Sequence, residues 1–357
     1  MHTLNLAPYH PSKDDLQGAG DYDAPRGKDN VWLVVRAAVK VQSKENEDWK
    51  VIKKLFHVDA RFNEGQMVKE MTLRFDFHCH STASDGALSP TELVARAAGA
   101  GVEYLALTDH DTLAGWPEAH KAAVDLGVQL IPGIEISVQW ESRELHIVGL
   151  AFDPAHPAIV ELVAYQQEAR VNRAKKMGER LDKAACMTDA YRKASELSGQ
   201  VAPGRPWFAQ ILVAEGKARN DQHAFNRFLK PGQSAFVKTP WLTVEQAVSA
   251  LTEAGGVAVL AHPTRYGLTR KKLRTVLKDF TAAGGRGLES LTVGLNPNQK
   301  MLVEECLRDF DMLASGGSDF HTPRQTRLVL GKVPPLSEMH MPVWQAFPAA
   351  YQPVATS

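Results

Sequence analysis

The sequence predicts an α/β fold: a largely parallel β-sheet, open or closed into a barrel, interrupted by one helical insertion. Three observations point there. From Leu73 onward, short apolar runs alternate with helix-forming segments, the pattern of repeated strand–helix units. Residues suited to metal and acid–base chemistry recur at the ends of those runs. The alternation stops between about His156 and Pro240, where every stretch reads as helix.

Leu73–His80 reads as the first strand. Ser89-Pro90-Thr91-Glu92 opens a helix, with Ser as N-cap, Pro in the first turn and Glu three residues on. Glu103–Thr108 is a strand, and a helix around Glu118–Leu126 ends at Gly127. Gln129–Ile136 and Glu144–Phe152 follow as strands. The insertion begins with a long helix from about Pro157 to Ala185. Gly256–Ala261, Leu288–Val293 and Met312–Ser315 complete the strands, with helices between most of them. Residues 71–155 and 241–347 are therefore assigned to the barrel, 156–240 to a helical subdomain over one of its ends, and 348–357 to a tail. Residues 1–70 form an N-terminal extension, polar through Asn30, with short strands expected at Val31–Val39 and near Val51–Val58. Met71 stands just before the first strong strand and is an alternative start.

The chain has 357 residues, enough for one large domain or two modest ones. Its 41 basic and 41 acidic residues give zero formal charge, so no global steering toward nucleic acid is expected. The insertion differs: 14 Lys and Arg against 8 Asp and Glu leave it near +6 and the remainder near −6. That excess is either a solvated helical face or a basic lid over an anionic substrate. Three cysteines without paired spacing, Cys79, Cys186 and Cys306, argue against a disulfide framework and suit a reducing cytoplasm. No apolar run approaches the ~18 residues of a membrane span. The first residues lack the basic-then-apolar pattern of a signal peptide. No protein partner is inferred.

The strand ends carry the chemistry. In Phe77-His78-Cys79-His80 the side chains alternate, so both imidazoles face one side and Cys79 the other, which makes thiolate ligation unexpected. Later ends supply Thr108-Asp109-His110-Asp111, Gly133-Ile134-Glu135, His146 within Glu144–Gly149, Ala261-His262-Pro263 and Ser318-Asp319-Phe320-His321, with Asp85 in the first loop. The carboxyl ends of parallel strands meet at one mouth, where active sites of such folds lie. Nine imidazole and carboxylate groups packed there would repel or stay unsatisfied unless divalent cations joined them. A mixed nitrogen and oxygen set suits manganese, zinc or iron.

The ordered set His78-x-His80, Asp85, Asp109-His110, Glu135, His146, His262 and Asp319-x-His321 resembles the PHP phosphoesterases, a family named from polymerases and histidinol phosphatases. The resemblance covers about Leu73 to Phe347. It implies a distorted (β/α)7 barrel with a trinuclear metal centre, commonly manganese, holding two or three ions. It places His78, His80, Glu135 and Asp319 on one ion. Glu135 bridges to a second held by His146 and His262, and Asp85, His110 and His321 hold a third. Asp109, His110, Glu135 and His321 are the candidate catalytic residues. Metal-activated water attacking phosphorus is the implied chemistry.

Arg170-Val-Asn172-Arg173, Gly204-Arg205-Pro206, Gly216-Lys217-Ala218, the Phe228–Val237 stretch and Ala261-His-Pro-Thr-Arg265-Tyr266 are similar to one branch of the family. That branch contains 3′,5′-nucleoside bisphosphate phosphatases and the 5′→3′ exoribonuclease RNase AM. The resemblance implies a substrate of 5′-phosphorylated RNA or a 3′,5′-bisphosphonucleotide, cleaved on the 3′ side. Arg205 and Arg265 are the candidate phosphate-binding residues, their planar forks matching phosphate. Trp207 stands where relatives often carry His, and is either a base-stacking residue or a core tryptophan. The other readings of the chain are a PHP phosphatase for a small metabolite such as histidinol phosphate, and a non-catalytic scaffold.

Overall fold

The computed structural model describes residues 73–353, except 292, 293, 325, 326, 335 and 338. The strands expected at Val31–Val39 and Val51–Val58, and the start at Met71, lie outside the described residues.

The strands are β1 (Phe75–Asp76), β2 (Tyr104–Leu107), β3 (Gln129–Trp140), β4 (Arg143–Leu150), β5 (Leu242–Thr243), β6 (Val257–Leu260), β7 (Gly287–Leu291) and β8 (Leu313–Gly316). Seven pair in the order β1-β2-β3-β4-β6-β7-β8, and short β5 pairs with β3. Hydrogen bonds then join the two ends of that order: Phe77 N donates to Gly316 O (3.2 Å), Asp319 N to His78 O (2.7 Å) and His80 N to Phe320 O (2.9 Å). The sheet is a nearly closed barrel of seven strands. Phe75, Ala106, Ile131, Val148, Val259 and Leu313, from six different strands, share one buried cluster, the inner face of the closed sheet. Their strand neighbours Ile147, Ala258, Leu260 and Ala314 pack on the other face, against helices.

The helices form where the sequence marks their ends. α1 (Pro90–Gly99) carries the full reciprocal cap: Glu92 N donates to Ser89 Oγ (3.2 Å) and Ser89 N to Glu92 Oε2 (2.8 Å). Its buried Leu93, Val94 and Ala97 pack with Leu105 and Leu107 of β2. α2 (Trp116–Leu126) closes on Gly127, whose φ of 68° is left-handed.

One strand runs against the rest. β3 and β4 pair antiparallel through a two-residue turn, Glu141-Ser142, and β4 pairs antiparallel with β6. Two residues cannot hold the crossover that a parallel pair needs. The beginning of β4, not its end, therefore lies beside the carboxyl-terminal half of β3. His146 pairs with Ser137 and reaches the barrel mouth for that reason.

Between β4 and β5 lie α3 (Pro157–Ala184), α4 (Ala190–Ser198), α5 (Arg205–Ala214), α6 (Asp221–Ala224) and a π-helical turn, Phe225–Leu229. α3 has 28 residues, about 42 Å at 1.5 Å per residue. Its first turns bury Ile159 and Leu162 in the barrel's outer core. Its last turns bury Met177 and Leu181 in a separate core with Phe208, Leu212 and Phe228. The middle of α3, with Arg170 and Arg173, spans the gap between the two cores. α7 (Val244–Glu253), α8 (Arg270–Ala282) and α9 (Pro297–Asp309) connect the remaining strands. Among the described residues no helix is long and apolar enough to cross a membrane.

Candidate active site

The end of β1 presents His78 and His80 side by side, ring centroids 5.2 Å apart. Cys79 faces the opposite way, buried with Leu93 and Leu105, and its Sγ donates to Ala106 O (3.3 Å). The chain after β8 crosses close to His78. A Cβ on Gly317 would lie 2.2 Å from His78 Cβ, so only glycine permits this approach.

Glu135 lies at the centre. One of its carboxylate oxygens is 3.3 Å from His78 Nε2, 3.2 Å from His80 Nε2 and 3.0 Å from His110 Nδ1. The other is 2.8 Å from His146 Nδ1 and 3.0 Å from His262 Nε2. Asp319 Oδ1 lies 3.4 Å from His78 Nε2 and 3.3 Å from His80 Nε2. Asp85 meets His321 at 3.3 Å and His110 at 3.8 Å. All nine residues singled out as ligands meet at this one mouth.

Three subsets bring their ligand atoms close enough to hold one ion each: His78, His80, Glu135 and Asp319; His80, Asp85, His110 and His321; and His110, Glu135 and His146. The first repeats the grouping implied by the family resemblance. The second adds His80 to its group, and the third adds His110 beside His146. His262 approaches that third group through the Glu135 oxygen it shares with His146.

The donor set fits metal ions. His78 Nε2, both ring nitrogens of His80, Asp85 Oδ1, His110 Nδ1, Glu135 Oε2 and His262 Nδ1 are buried and make no hydrogen bond. Buried polar atoms left so cost about 1–3 kcal/mol each, and divalent cations supply the missing partner. Charge coupling in the ion-free cluster points the same way. Burial would raise the Glu135 carboxyl, but His110, His146 and His78 hold it well below the usual range. Burial would lower the His146 imidazolium, but Glu135 and Glu144 push it up to about 10. His321 rises to about 10 beside Asp85 and Asp319, despite its burial. Burial, with His80 opposing protonation as well, pulls His110 down.

Asp109 departs from its expected place among the catalytic residues. Its carboxylate accepts from Ser81 N (2.7 Å), Ser81 Oγ (2.6 Å) and Ser84 Oγ (2.6 Å), and so braces the turn that carries Asp85. It joins none of the three ligand groups. Adjacent residues of a strand end face opposite sides, and His110 is the one facing the cluster.

Beside the cluster lies a cavity of about 130 Å³. It is lined by Asp85, His110 and His146 of the cluster, by Arg170, Arg173 and Arg205, and by Ser137, Glu144 and Phe225 among others. Arg170 is clamped by Asp111, Nε at 2.7 Å and Nη2 at 2.6 Å from Oδ2. Arg205 stands 3.7 Å from Glu144, which accepts from Trp241 Nε1 at 2.8 Å. Arg173 is 8% exposed and stacks over Trp241, yet its Nε and Nη2 have no hydrogen-bond partner. Burial pushes its guanidinium down to about 10. Sequence reasoning assigned Arg205 to phosphate but gave Arg170 and Arg173 no role. Their spacing of three on one helix face was the available signal. Arg265 pairs instead with Asp319, on the cluster side. Trp207 is half-buried against the insertion's own core, its indole nitrogen without a hydrogen bond.

A nearly closed α/β barrel whose mouth gathers imidazoles and carboxylates in overlapping threes and fours defines a class, the metal-dependent phosphoesterase barrels. The PHP domain family model matches residues 76–226. A 5′-3′ exoribonuclease of Haemophilus influenzae is 46% identical over 78% of this chain and 100% of its own length. A 3′,5′-nucleoside bisphosphate phosphatase of Chromobacterium violaceum is 37% identical over 77% of this chain and 96% of its own. Among solved structures, an amidohydrolase from Chromobacterium violaceum with bound sulfate superposes with a TM-score of 0.71. It is 36% identical and covers 76% of this chain and 95% of that one. The chain belongs to the PHP domain family.

Proposed function

We propose that this chain is a metal-dependent phosphoesterase that hydrolyses the bond between the 3′ oxygen and phosphorus of 5′-phosphorylated nucleotides. From a 3′,5′-bisphosphonucleotide it would release inorganic phosphate. From RNA it would release a nucleoside 5′-monophosphate and leave a new 5′-phosphate for the next cycle. The carrying observation is one cavity lined both by members of the ligand cluster and by three arginines. One anionic group can meet the cluster while a second meets the arginines. The names of the relatives support both substrates, and sulfate bound to a structural neighbour supports a tetrahedral oxyanion.

His78, His80, Asp85, His110, Glu135, His146, His262, Asp319 and His321 would hold two or three ions, manganese first, with zinc or iron as alternatives. Such ions lower the pKa of bound water to near neutrality and offset charge on the scissile phosphate. The chain's own residues do the rest. Arg205 and Arg173 bind the 5′-phosphate, and Asp111 holds Arg170 beside them. Arg265, anchored on Asp319, stands by the scissile group. Phe225, also in the cavity lining, offers an aromatic face to the base. His110 and His321, both near Asp85, are the residues placed to handle protons. All three cysteines are free, which suits a cytoplasmic enzyme.

The test compares short RNA with a 5′-monophosphate, the same RNA with a 5′-hydroxyl, and a 3′,5′-bisphosphonucleotide. We expect nucleoside 5′-monophosphates from the first, phosphate from the third and poor turnover of the second. Equal rates on both RNAs would remove the 5′-end mechanism. Preference for histidinol phosphate over every nucleotide would replace the proposal.

A further inference from the structure

We infer that Glu289 is a positioning residue for the metal cluster: it fixes the ring of His78 and the backbone of His262 together, and so sets which nitrogen of His78 faces the ions. The inference rests on reading the cluster as a metal centre. Glu289 is not one of the nine ligands and joins none of the three ligand groups. It is 2% exposed. One carboxylate oxygen lies 3.0 Å from His78 Nδ1, and the other accepts from His262 N at 2.5 Å. His78 follows β1, and His262 lies in the loop after β6. A single side chain from β7 thus ties two segments far apart in sequence.

The local backbone explains how it reaches both. Leu288 packs on the helix-facing side of β7, so alternation turns Glu289 to the inner face, where the β7–β8 register is regular through Glu289–Ser315. His262 has φ of 26°, an unfavourable value for a residue with a Cβ, and its amide is the one Glu289 holds.

The chemistry follows from the acceptor count. A carboxylate has two acceptor oxygens and no donor, so it can take Nδ1–H of His78 and N–H of His262 at once. With the proton on Nδ1, the Nε2 lone pair is free, and Nε2 is the atom 3.3 Å from Glu135 and 3.4 Å from Asp319. An amide has one acceptor oxygen. In Glu289→Gln, if that oxygen keeps His262 N–H, the amide group donates to Nδ1, the proton moves to Nε2 and His78 is lost as a ligand.

The experiment uses the full chain loaded with zinc, which is diamagnetic. Zinc stoichiometry and dissociation constants are measured by chelator competition, and histidine ring nitrogens by 15N NMR. Glu289→Gln should weaken one ion of the set by about 10–100-fold and leave the others tight. The His78 signals should change from an Nδ1–H to an Nε2–H pattern. Glu289→Ala, which removes both acceptors, should weaken the same ion. Unchanged zinc affinity in Glu289→Gln, with wild-type loading normal, would overturn the inference. Equal weakening of every ion, matched by a lower melting temperature of the zinc-free protein, would also overturn it, since Glu289 would then be structural only. Wild-type protein that takes up no zinc would overturn the metal reading itself, and this inference with it.

Discussion

Arg173→Met separates function from stability in opposite directions. Arg173 is buried, yet Nε and Nη2 of its guanidinium have no partner. Desolvation chiefly lowers its pKa, from the ordinary arginine value to about 10. At about 1.4 kcal/mol per unit, the buried charge is disfavoured by roughly 3 kcal/mol. The folded-state value lies below the unfolded one, so this penalty is fully present at any pH below about 10. Against it stands the contact with the Trp241 ring, at 5.3 Å, worth about 0.5–2 kcal/mol. Met keeps an unbranched stem and a sulfur that packs well on an aromatic ring. The substrate-free protein should therefore gain about 1–2 kcal/mol, since replacing an unsatisfied buried charge with a matched apolar group stabilises.

Activity should move the other way. The Arg173 guanidinium lines the cavity and can form one or two charge-assisted hydrogen bonds to a phosphate, at about 1.5–3 kcal/mol each. Loss of one lowers kcat/KM on 5′-phosphorylated RNA at least about tenfold, and loss of both about a hundredfold or more. Turnover of 5′-hydroxyl RNA should hardly change. The assays are thermal unfolding in chelator without substrate, and kcat/KM on the two RNAs. A variant that is less stable and keeps its full preference for the 5′-phosphate would refute the reasoning on both counts.

Other outcomes follow from the cluster and the chain ends. Glu135→Gln removes the charge beside five imidazoles at 2.8–3.3 Å; elemental analysis should show lost metal and assays a near-inactive enzyme, and full activity with unchanged metal would contradict its central role. His146 and His321 carry protons at pH 7 in the ion-free protein, because both titrate at about 10. Ligation needs neutral imidazole, so metal affinity should rise with pH toward 10, and calorimetry in two buffers should show proton release. In the ion-free protein the same raised values contribute stability that is complete below about pH 6.5 and lost as pH rises through about 10, which denaturant unfolding across that range would detect. A chain started at Met71 should keep solubility and turnover; an insoluble product would show that the preceding residues belong to the folding unit.

Much of the candidate ligand set is legible in the sequence because it is local. Alternation along a strand places His78 and His80 together, and capping chemistry marks α1. The same alternation, applied to Asp109 and His110, separates them, and it is His110 that faces the cluster. What stayed hidden depends on partners distant in sequence. The turn at Glu141-Ser142 lacks the glycine that announces a hairpin; Glu141 itself takes φ of 52°. Without that signal β4 looked like one more parallel strand. Glu289 follows Leu288, which packs against the helices, so alternation turns Glu289 inward, but its partners His78 and His262 are distant in sequence. Arg173 is one of 14 basic residues in the insertion, and nothing local distinguishes it from a solvated charge.

The charge split along the chain acquires a physical meaning at the cavity. The chain is neutral, with the excess of about +6 in the insertion and about −6 elsewhere. A uniform spread would attract no anion. α3 is rooted in the barrel core at one end and in the insertion core at the other, so its central arginines are held facing the ligand cluster rather than free in solvent. Asp111 fixes Arg170, and Gln200 Nε2, from the insertion, donates to Thr82 O (2.8 Å) in the loop that carries Asp85. These ties leave a cavity of about 130 Å³. On the proposed function, this space holds the 5′-terminal phosphate beside the arginines and so favours cleavage at the 5′ end. Cutting the Gln200 tie with Gln200→Ala should loosen the cavity and raise KM for 5′-phosphorylated RNA about tenfold with less change in kcat. An unchanged KM would mean that the arginines are held without it.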